Sequence, residues 1–377
     1  ANGGENPNDL MARLSEAGAA PIFRTDLISE PVTLERIEVL HRDGLYFVKA
    51  IDSVGATGWS LTNAQRFPSF FPIIGKRIAP VLIGRDMREW ESLLDQVYRH
   101  ESNYKWQGLP FWSALARLEI AVFDLIGQRT GLPLHALIGE RVRDSIGIYH
   151  ANGNRGKPAQ WVVEALRKSV ADSGARAIKF KLGARMAMTS QSTQRDIALI
   201  PMMREAFGSE MTLYADANGS YDVPSAITIG HMLENHDYGF FEEPVPFDHF
   251  AETKAVADQL SVPIAGGEQD SSSWSLQWQL AHGALQIVQP DLIYFGGLIR
   301  SMRVARMAQA IGLNCVPHIS GQGLGGLIAT HFASVLPNTT DFQEYKGDED
   351  PVPYRLRDTG TRFAAKDGRL SVPRAPG

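Results

Sequence analysis

Apolar and polar residues change their rhythm twice along this chain. Between Pro31 and Trp59 short β-type runs, Thr33 to Leu40 and Leu45 to Ile51, flank the turn-forming stretch His41 to Gly44, which predicts an antiparallel hairpin. Met87 to His100 and Trp112 to Gln128 then carry apolar residues at three- and four-residue spacing. That period predicts two amphipathic helices, the second stopped by Gly131 and Pro133. Beyond Ser145 a unit repeats: a short apolar run, a loop, and roughly a dozen residues of helical pattern. The runs predict strands at Ile146–Tyr149, Ala177–Lys181, Thr212–Ala215, Gly239–Phe241, Pro263–Gly266, Leu285–Gln289, Asn314–Pro317 and Asp341–Glu344. Asp222 ahead of Pro224 marks a helix start, and Gly312 marks the stop of Arg300 to Ile311.

Strands alternating with helices at a steady period predict an α/β fold, a (β/α)7β TIM-like barrel rather than a doubly wound sheet. The expected division is an N-terminal α+β capping domain over residues 1–143, the barrel over 144–350, and a C-terminal segment, 351–377, that returns to the capping domain. Composition narrows the function classes. With 44% hydrophobic and 21% charged residues the chain is of ordinary globular type. No apolar run approaches the roughly 18 to 20 residues of a membrane helix. A net charge of -5 offers no basic stripe for a phosphate backbone, so nucleic acid and membrane are not expected partners. A small soluble ligand is, and so is a homo-oligomer. Cys315 is the only cysteine and sits among apolar neighbours, which predicts a buried, unreactive thiol. The opening from Ala1 through Asp9 suits a trimmed chain or one left by signal-peptide removal, and it leaves the compartment open.

The residues at the C-terminal ends of the predicted strands are Lys179 and Lys181, then Asp216, Glu242, Glu268, Asp291, His318 and Glu344. All are ionisable. Steps of 26, 26, 23, 27 and 26 residues separate them from Asp216 onward, so a barrel brings them to one mouth. Asp216, Glu242 and Glu268, without Cys or His in the trio, suit a hard cation with oxygen ligands and are the expected Mg²⁺ ligands. Lys179 and Lys181 alternate along one strand and point the same way, where mutual repulsion should lower a pKa toward the range of a base. Asp291 and His318 on adjacent strands form a carboxylate–imidazole pair able to act as base or acid. Glu344, if protonated, could donate to a developing enediolate oxygen. Glu243 should point away by strand alternation. Any one of these acids alone would read as a surface residue near a turn; their shared register argues otherwise.

One motif competes. Gly321-Gln-Gly-Leu-Gly-Gly326 fits G-x-G-x-x-G, with Glu344 where a ribose-binding acid would be sought. It follows the seventh strand and explains none of the earlier ionisable residues. The same glycines can open a helix toward an anionic substrate group.

Together Lys179-Phe-Lys181, Asp216-Ala-Asn218, Glu242-Glu-Pro244, Gly267-Glu268, Pro290-Asp291 and Pro317-His318 resemble the mandelate racemase subgroup of the enolase superfamily, over nearly the whole chain. The resemblance implies removal of the proton α to a substrate carboxylate, Lys181 as base on one face, His318 with Asp291 on the other, and Lys179 near the carboxylate. It also implies Mg²⁺ offsetting enediolate charge. Acid-sugar dehydratases use such a site to eliminate water. Racemases, epimerases and cycloisomerases use it for proton exchange or ring chemistry, and a non-catalytic barrel binding carbohydrate acids is the remaining alternative. The capping segments Trp59 to Phe71 and Arg99 to Trp106, with Asn63, Arg66 and Lys105, are expected to supply specificity.

Overall fold

The structure, a computed structural model, describes residues 6–42, 44–62, 66–101, 105–152, 154–318, 324–347 and 364–377. Helix α1 (Pro7–Ala19) precedes a three-stranded antiparallel meander, β1 (Leu34–Arg42), β2 (Leu45–Asp52) and β3 (Thr57–Thr62). Short helices α2 (Phe67–Phe70) and α3 (Ala79–Leu82) lead to α4 (Trp90–Arg99), α5 (Leu109–Thr130) and α6 (Leu134–Ile138). The expected hairpin and both expected helices are present, the second extended by three residues at its start and two at its end. Helix α1 was not expected from the polar opening. It is nucleated by Asn6, whose side chain accepts from the Asn8 amide, and it buries Leu10 and Leu14. Helix α5 lies so close across the meander that a Cβ at Gly58 would stand 2.1 Å from the Ala121 carbonyl oxygen. Only glycine allows that approach.

Eight parallel strands follow: β4 (Ser145–Ala151), β5 (Ala177–Lys181), β6 (Thr212–Asp216), β7 (Phe240–Glu242), β8 (Ile264–Gly266), β9 (Ile287–Val288), β10 (Asn314–Cys315) and β11 (Phe342–Tyr345). The seven helices between them are α7 (Ala159–Ser173), α8 (Ser190–Phe207), α9 (Val223–Asn235), α10 (Phe250–Ala257), α11 (Ser273–Ala281), α12 (Leu298–Ala310) and α13 (Leu324–Ser334). Neighbouring strands pair in the order β10-β9-β8-β7-β6-β5-β4-β11, a curled α/β sheet of (β/α)7β type. Between β10 and β11, closure comes from the Gln343 amide donating to the Pro317 carbonyl at 2.6 Å and the Cys315 amide donating to Asn338.

Strand alternation sorts the core. On β5, Ile178 and Phe180 face the helices and join the large apolar cluster that also contains Leu14, Phe123 and Phe332. Ala177 faces inward with Tyr149, Tyr214, Phe240, Ala265 and Ile287, a second cluster that floors the barrel. Burial of each large side chain contributes on the order of 1.5–3 kcal/mol. Cys315 is fully buried, as expected. The tail turns at Asp367 and Gly368, adds β12 (Arg369–Ser371) antiparallel to β4, and ends with Gly377 exchanging hydrogen bonds with Leu132 and Leu134. Residues 351–363 of that segment lie outside the described residues. Where the meander's helices meet the barrel, Arg300 of α12 stacks 3.5 Å over Trp112, and Glu119 of α5 accepts from the Trp90 indole and the Ile299 amide.

Candidate active site

The eight ionisable residues expected at one mouth do converge there. Lys179 and Lys181 end β5, Asp216 ends β6 and Glu242 ends β7. Glu268 follows β8 by two residues because Gly267, at φ 113, turns the chain in a conformation that other residues rarely adopt. An isolated parallel bridge joins Asp291 to His318. Six carboxylates (Asp216, Glu242, Glu243, Glu268, Asp291 and Glu344) are buried around three cationic side chains, Lys179, Lys181 and His318.

The Lys179 ammonium donates to both oxygens of Glu242, at 2.8 and 2.7 Å, and stands 3.6 Å from Glu344. Lys181 donates to Asp216 and, at 3.1 Å, to the side-chain oxygen of Asn218. Burial alone disfavours both ammonium groups, but Glu242 and Glu344 outweigh it at Lys179 and Asp216 does so at Lys181. Both pKa values rise. The repulsion expected to lower them is felt at Lys181, from Lys179, but Asp216 outweighs it. Glu344 also differs from expectation: burial favours its neutral form, yet Lys179, Lys346 and His318 hold its carboxyl well below the usual range. These cations favour its ionised form, which argues against a role as protonated donor.

His318 Nδ1 lies 2.7 Å from Asp291, whose other oxygen accepts from the Ile293 and Tyr294 amides. The remaining ring nitrogen is 3.1 Å from Glu268 and 3.5 Å from Glu344. Burial would lower this imidazole's pKa, but Glu268, Glu344 and Asp291 push it up to about 9. Glu243 overturns the alternation argument. At φ 43 its backbone leaves the strand, and its carboxylate accepts from the Asn218 amide, which also donates to Glu268. Burial, then Glu268 and Asp216, raise its pKa well above the ordinary value.

Three further residues were not singled out for a role in the sequence. Asn218 bridges Lys181 to Glu243 and Glu268. Gln289 donates to Glu242 at 3.0 Å. Arg155 joins the loops after β4, β5 and β6 by donating to the Leu182 carbonyl and to Asn218. Asn218 and Gln289 lie just past the ends of β6 and β9, where strand alternation no longer applies, and nothing local marks Arg155. Of the glycine motif, residues 321–323 lie outside the described residues, and α13 follows. Glu344, which a dinucleotide site would need for a ribose, faces Lys179 and His318 instead.

Among the described residues no three Asp, Glu, His or Cys groups already stand as a metal-holding cluster. The donor set nevertheless suits a hard divalent cation. Carboxylates outnumber cationic groups in a buried space, and burial with the nearby Asp216 charge pushes Glu242 up to about 8 despite Lys179. Oxygens of Glu243, Glu268 and Glu344 lack a hydrogen-bond donor. Buried anionic oxygens in this state are stabilised by a cation.

Residues 28–139 match the model of the mandelate racemase/muconate lactonizing enzyme N-terminal domain, and residues 161–377 match the enolase C-terminal domain-like model. The arabinonate dehydratase of Saccharolobus solfataricus is 28% identical over 81% of this chain and 79% of its own. The D-galactarolactone cycloisomerase of Agrobacterium fabrum is 29% identical over 86% and 85%. A mandelate racemase/muconate lactonizing protein from Paracoccus denitrificans, solved with magnesium, superposes with a TM-score of 0.81 at 27% identity, covering 92% of this chain and 94% of that one. With both matched regions joined by this fold, the chain belongs to the mandelate racemase/muconate lactonizing enzyme family of the enolase superfamily.

Proposed function

We propose that this protein removes the proton α to the carboxylate of a sugar acid and eliminates the β-hydroxyl as water, giving a 2-keto-3-deoxy acid. The observation that carries the reading is placement. Lys181 on β5 and His318 after β10 stand at the two ends of an arc of neighbouring strands, with Asp216, Glu242 and Glu268 between them. Those three acids would hold Mg²⁺, which when bound supplies Lewis-acid stabilisation of enediolate charge.

The chain's own groups account for the proton movements. Lys181 takes the α-proton once deprotonated, and Asn218 fixes its position. His318, kept cationic by its acidic neighbours, gives a proton to the departing β-hydroxyl, and Asp291 holds the ring's orientation. Lys179 offers positive charge beside the substrate carboxylate, while Glu344, as a carboxylate, restrains Lys179 and His318. Two groups able to bear a proton on opposite sides of the acids also support a second reading, racemisation, epimerisation or cycloisomerisation, in line with the cycloisomerase relative. A non-catalytic barrel is disfavoured because no expected base or ligand is missing. The homo-oligomer remains part of the proposal, for sedimentation to test.

The test is a screen of aldonic and aldaric acids with Mg²⁺, read by 2-keto acid formation and product NMR. Dehydration gives a 2-keto product whose formation stops on chelation and resumes with Mg²⁺. Epimers or lactones in its place establish the second reading. Binding without any change in the acids would contradict both.

A further inference from the structure

We infer that Glu119, in α5 before the barrel, is a positioning residue for His318: it seats the first turn of α12 and so holds the loop on which Asp291 orients the imidazole. The inference rests on the proposed reaction, in which His318 protonates the departing hydroxyl. Its starting point is a buried carboxylate that the proposed chemistry does not use. Glu119 is fully buried, and its partners lie outside its own helix. One oxygen accepts from the Trp90 indole at 2.6 Å, and the other accepts from the Leu298 amide and, at 3.3 Å, from the Ile299 amide. Those two amides open α12, where no carbonyl of the helix can meet them. A carboxylate at such a helix start satisfies the amides and suits the helix dipole. The residue in the capping position is Gly297, which has no side chain to do this, and at φ 102 a Cβ there would overlap the Glu119 carboxylate. The cap of α12 therefore comes from α5.

The segment from Asp291 to Gly297 joins this seat to the mouth, and its backbone is tied down along the way. The Phe295 amide donates to the Asp291 carbonyl, the Gly296 amide to the Ile293 carbonyl, and the Leu292 amide to the His318 carbonyl. One Asp291 oxygen accepts from the Ile293 and Tyr294 amides, at 2.8 and 2.7 Å, while the other faces the His318 ring. The turn is wound around Asp291. Arg300, within the first turn of α12, fastens the same segment: it donates to the Phe295 carbonyl at 2.7 Å and to the Ser271 carbonyl at 2.9 Å, and it stacks on Trp112 of α5. A shift at the start of α12 thus reaches the acceptor of the His318 ring N–H through contiguous hydrogen bonds. Lys181, held by Asp216 and Asn218, shares none of these contacts. Loss of the seat should therefore impair the step that needs His318 and spare the step that needs Lys181.

Two readouts test this. With an accepted acid and Mg²⁺ in D₂O, Glu119→Ala should lower kcat for water loss by at least about tenfold with KM nearly unchanged, and exchange of the α-proton should continue near the wild-type rate. Glu119→Gln, which keeps an oxygen for the α12 amides, should restore most of the loss. Gly297→Ala pushes on the carboxylate from the other side; it should reproduce the selective loss and carries the test if Glu119→Ala does not fold. The second readout needs no turnover. In Mg²⁺-loaded protein labelled with ¹⁵N-histidine, the His318 Nδ1–H facing Asp291 should give a low-field proton resonance, identified by its absence in His318→Asn; Glu119→Ala and Gly297→Ala should move it upfield, and Glu119→Gln should leave it in place. A resonance that moves as expected in a protein that turns over no acid would sink the proposed reaction and leave this inference standing. If exchange is lost together with water loss while the resonance moves, Lys181 is not the base and the positioning role stands. Water loss at the wild-type rate in Glu119→Ala, or a resonance that stays in place in the folded variants, would overturn the inference.

Discussion

The floor and the mouth of this barrel are built from the same strands two residues apart. Ala177, Tyr214 and Phe240 point inward below; Lys179, Asp216 and Glu242 point inward one alternation above. The lower layer is tightly packed, with Tyr214 and Phe240 stacked at 3.9 Å. The upper layer is equally buried but ionic. The apolar floor is what makes the mouth's charges strong, since a carboxylate resting on aromatic rings has no water below it to lean on. Packing therefore belongs to the floor and chemistry to the mouth, and substitutions should separate the two.

Glu242→Gln should lower turnover by at least about 10³-fold while the barrel's circular dichroism is retained, because it removes charge from the mouth and no volume. Phe240→Ala, one layer down and two residues away, should cost about 3–5 kcal/mol of stability in denaturant unfolding. Any activity it loses should track the unfolded fraction. A Glu242→Gln protein that fails to fold, or a fully stable Phe240→Ala protein, would break the distinction.

A buried acid outside the mouth sharpens the comparison. Among the described residues no salt bridge reaches Glu119, and burial raises its pKa from 4.5 to about 7 in spite of the Trp90 indole, two backbone amides and the charge of Arg303. The folded state therefore keeps a proton that the unfolded chain releases first. Stability should fall as pH rises from about 4.5 to about 7 and level off above, by up to about 3 kcal/mol. Glu119→Gln should flatten that slope in urea titrations at several pH values; an unchanged slope would place the linkage elsewhere. The smallest effect is expected at Arg155. Arg155→Met should cost about tenfold in kcat/KM by loosening Asn218 and the loops around it.

The mouth was legible because its residues follow apolar runs at a steady spacing, and Lys179, Lys181, Asp216 and Glu242 lie on regular strands where alternation holds. Legibility failed where regularity ends. Alternation points Glu243 outward, but at φ 43 it has left the strand geometry on which alternation depends. Along the strand each lysine's nearest charge is the other lysine, whereas Asp216 and Glu242 come from strands that only the folded sheet brings alongside. Arg155 acts through Leu182 and Asn218, partners 27 and 63 residues away. No local pattern announces such contacts. Helix α1 escaped notice because its apolar residues are few, and its stability comes from docking on α11 and α12. Of the segments expected to supply specificity, Asn63 lies outside the described residues, and Arg66 reaches Tyr294.

The most direct test of the central claim follows the α-proton itself. Each accepted acid is incubated in D₂O with Mg²⁺ and wild-type, His318→Asn or Lys181→Met protein, and the α-position is followed by NMR. If Lys181 is the base and His318 the acid, His318→Asn should stop water loss yet still exchange the α-proton for deuterium, while Lys181→Met should abolish both. Unimpaired turnover by both variants would remove these residues from the mechanism and contradict the account.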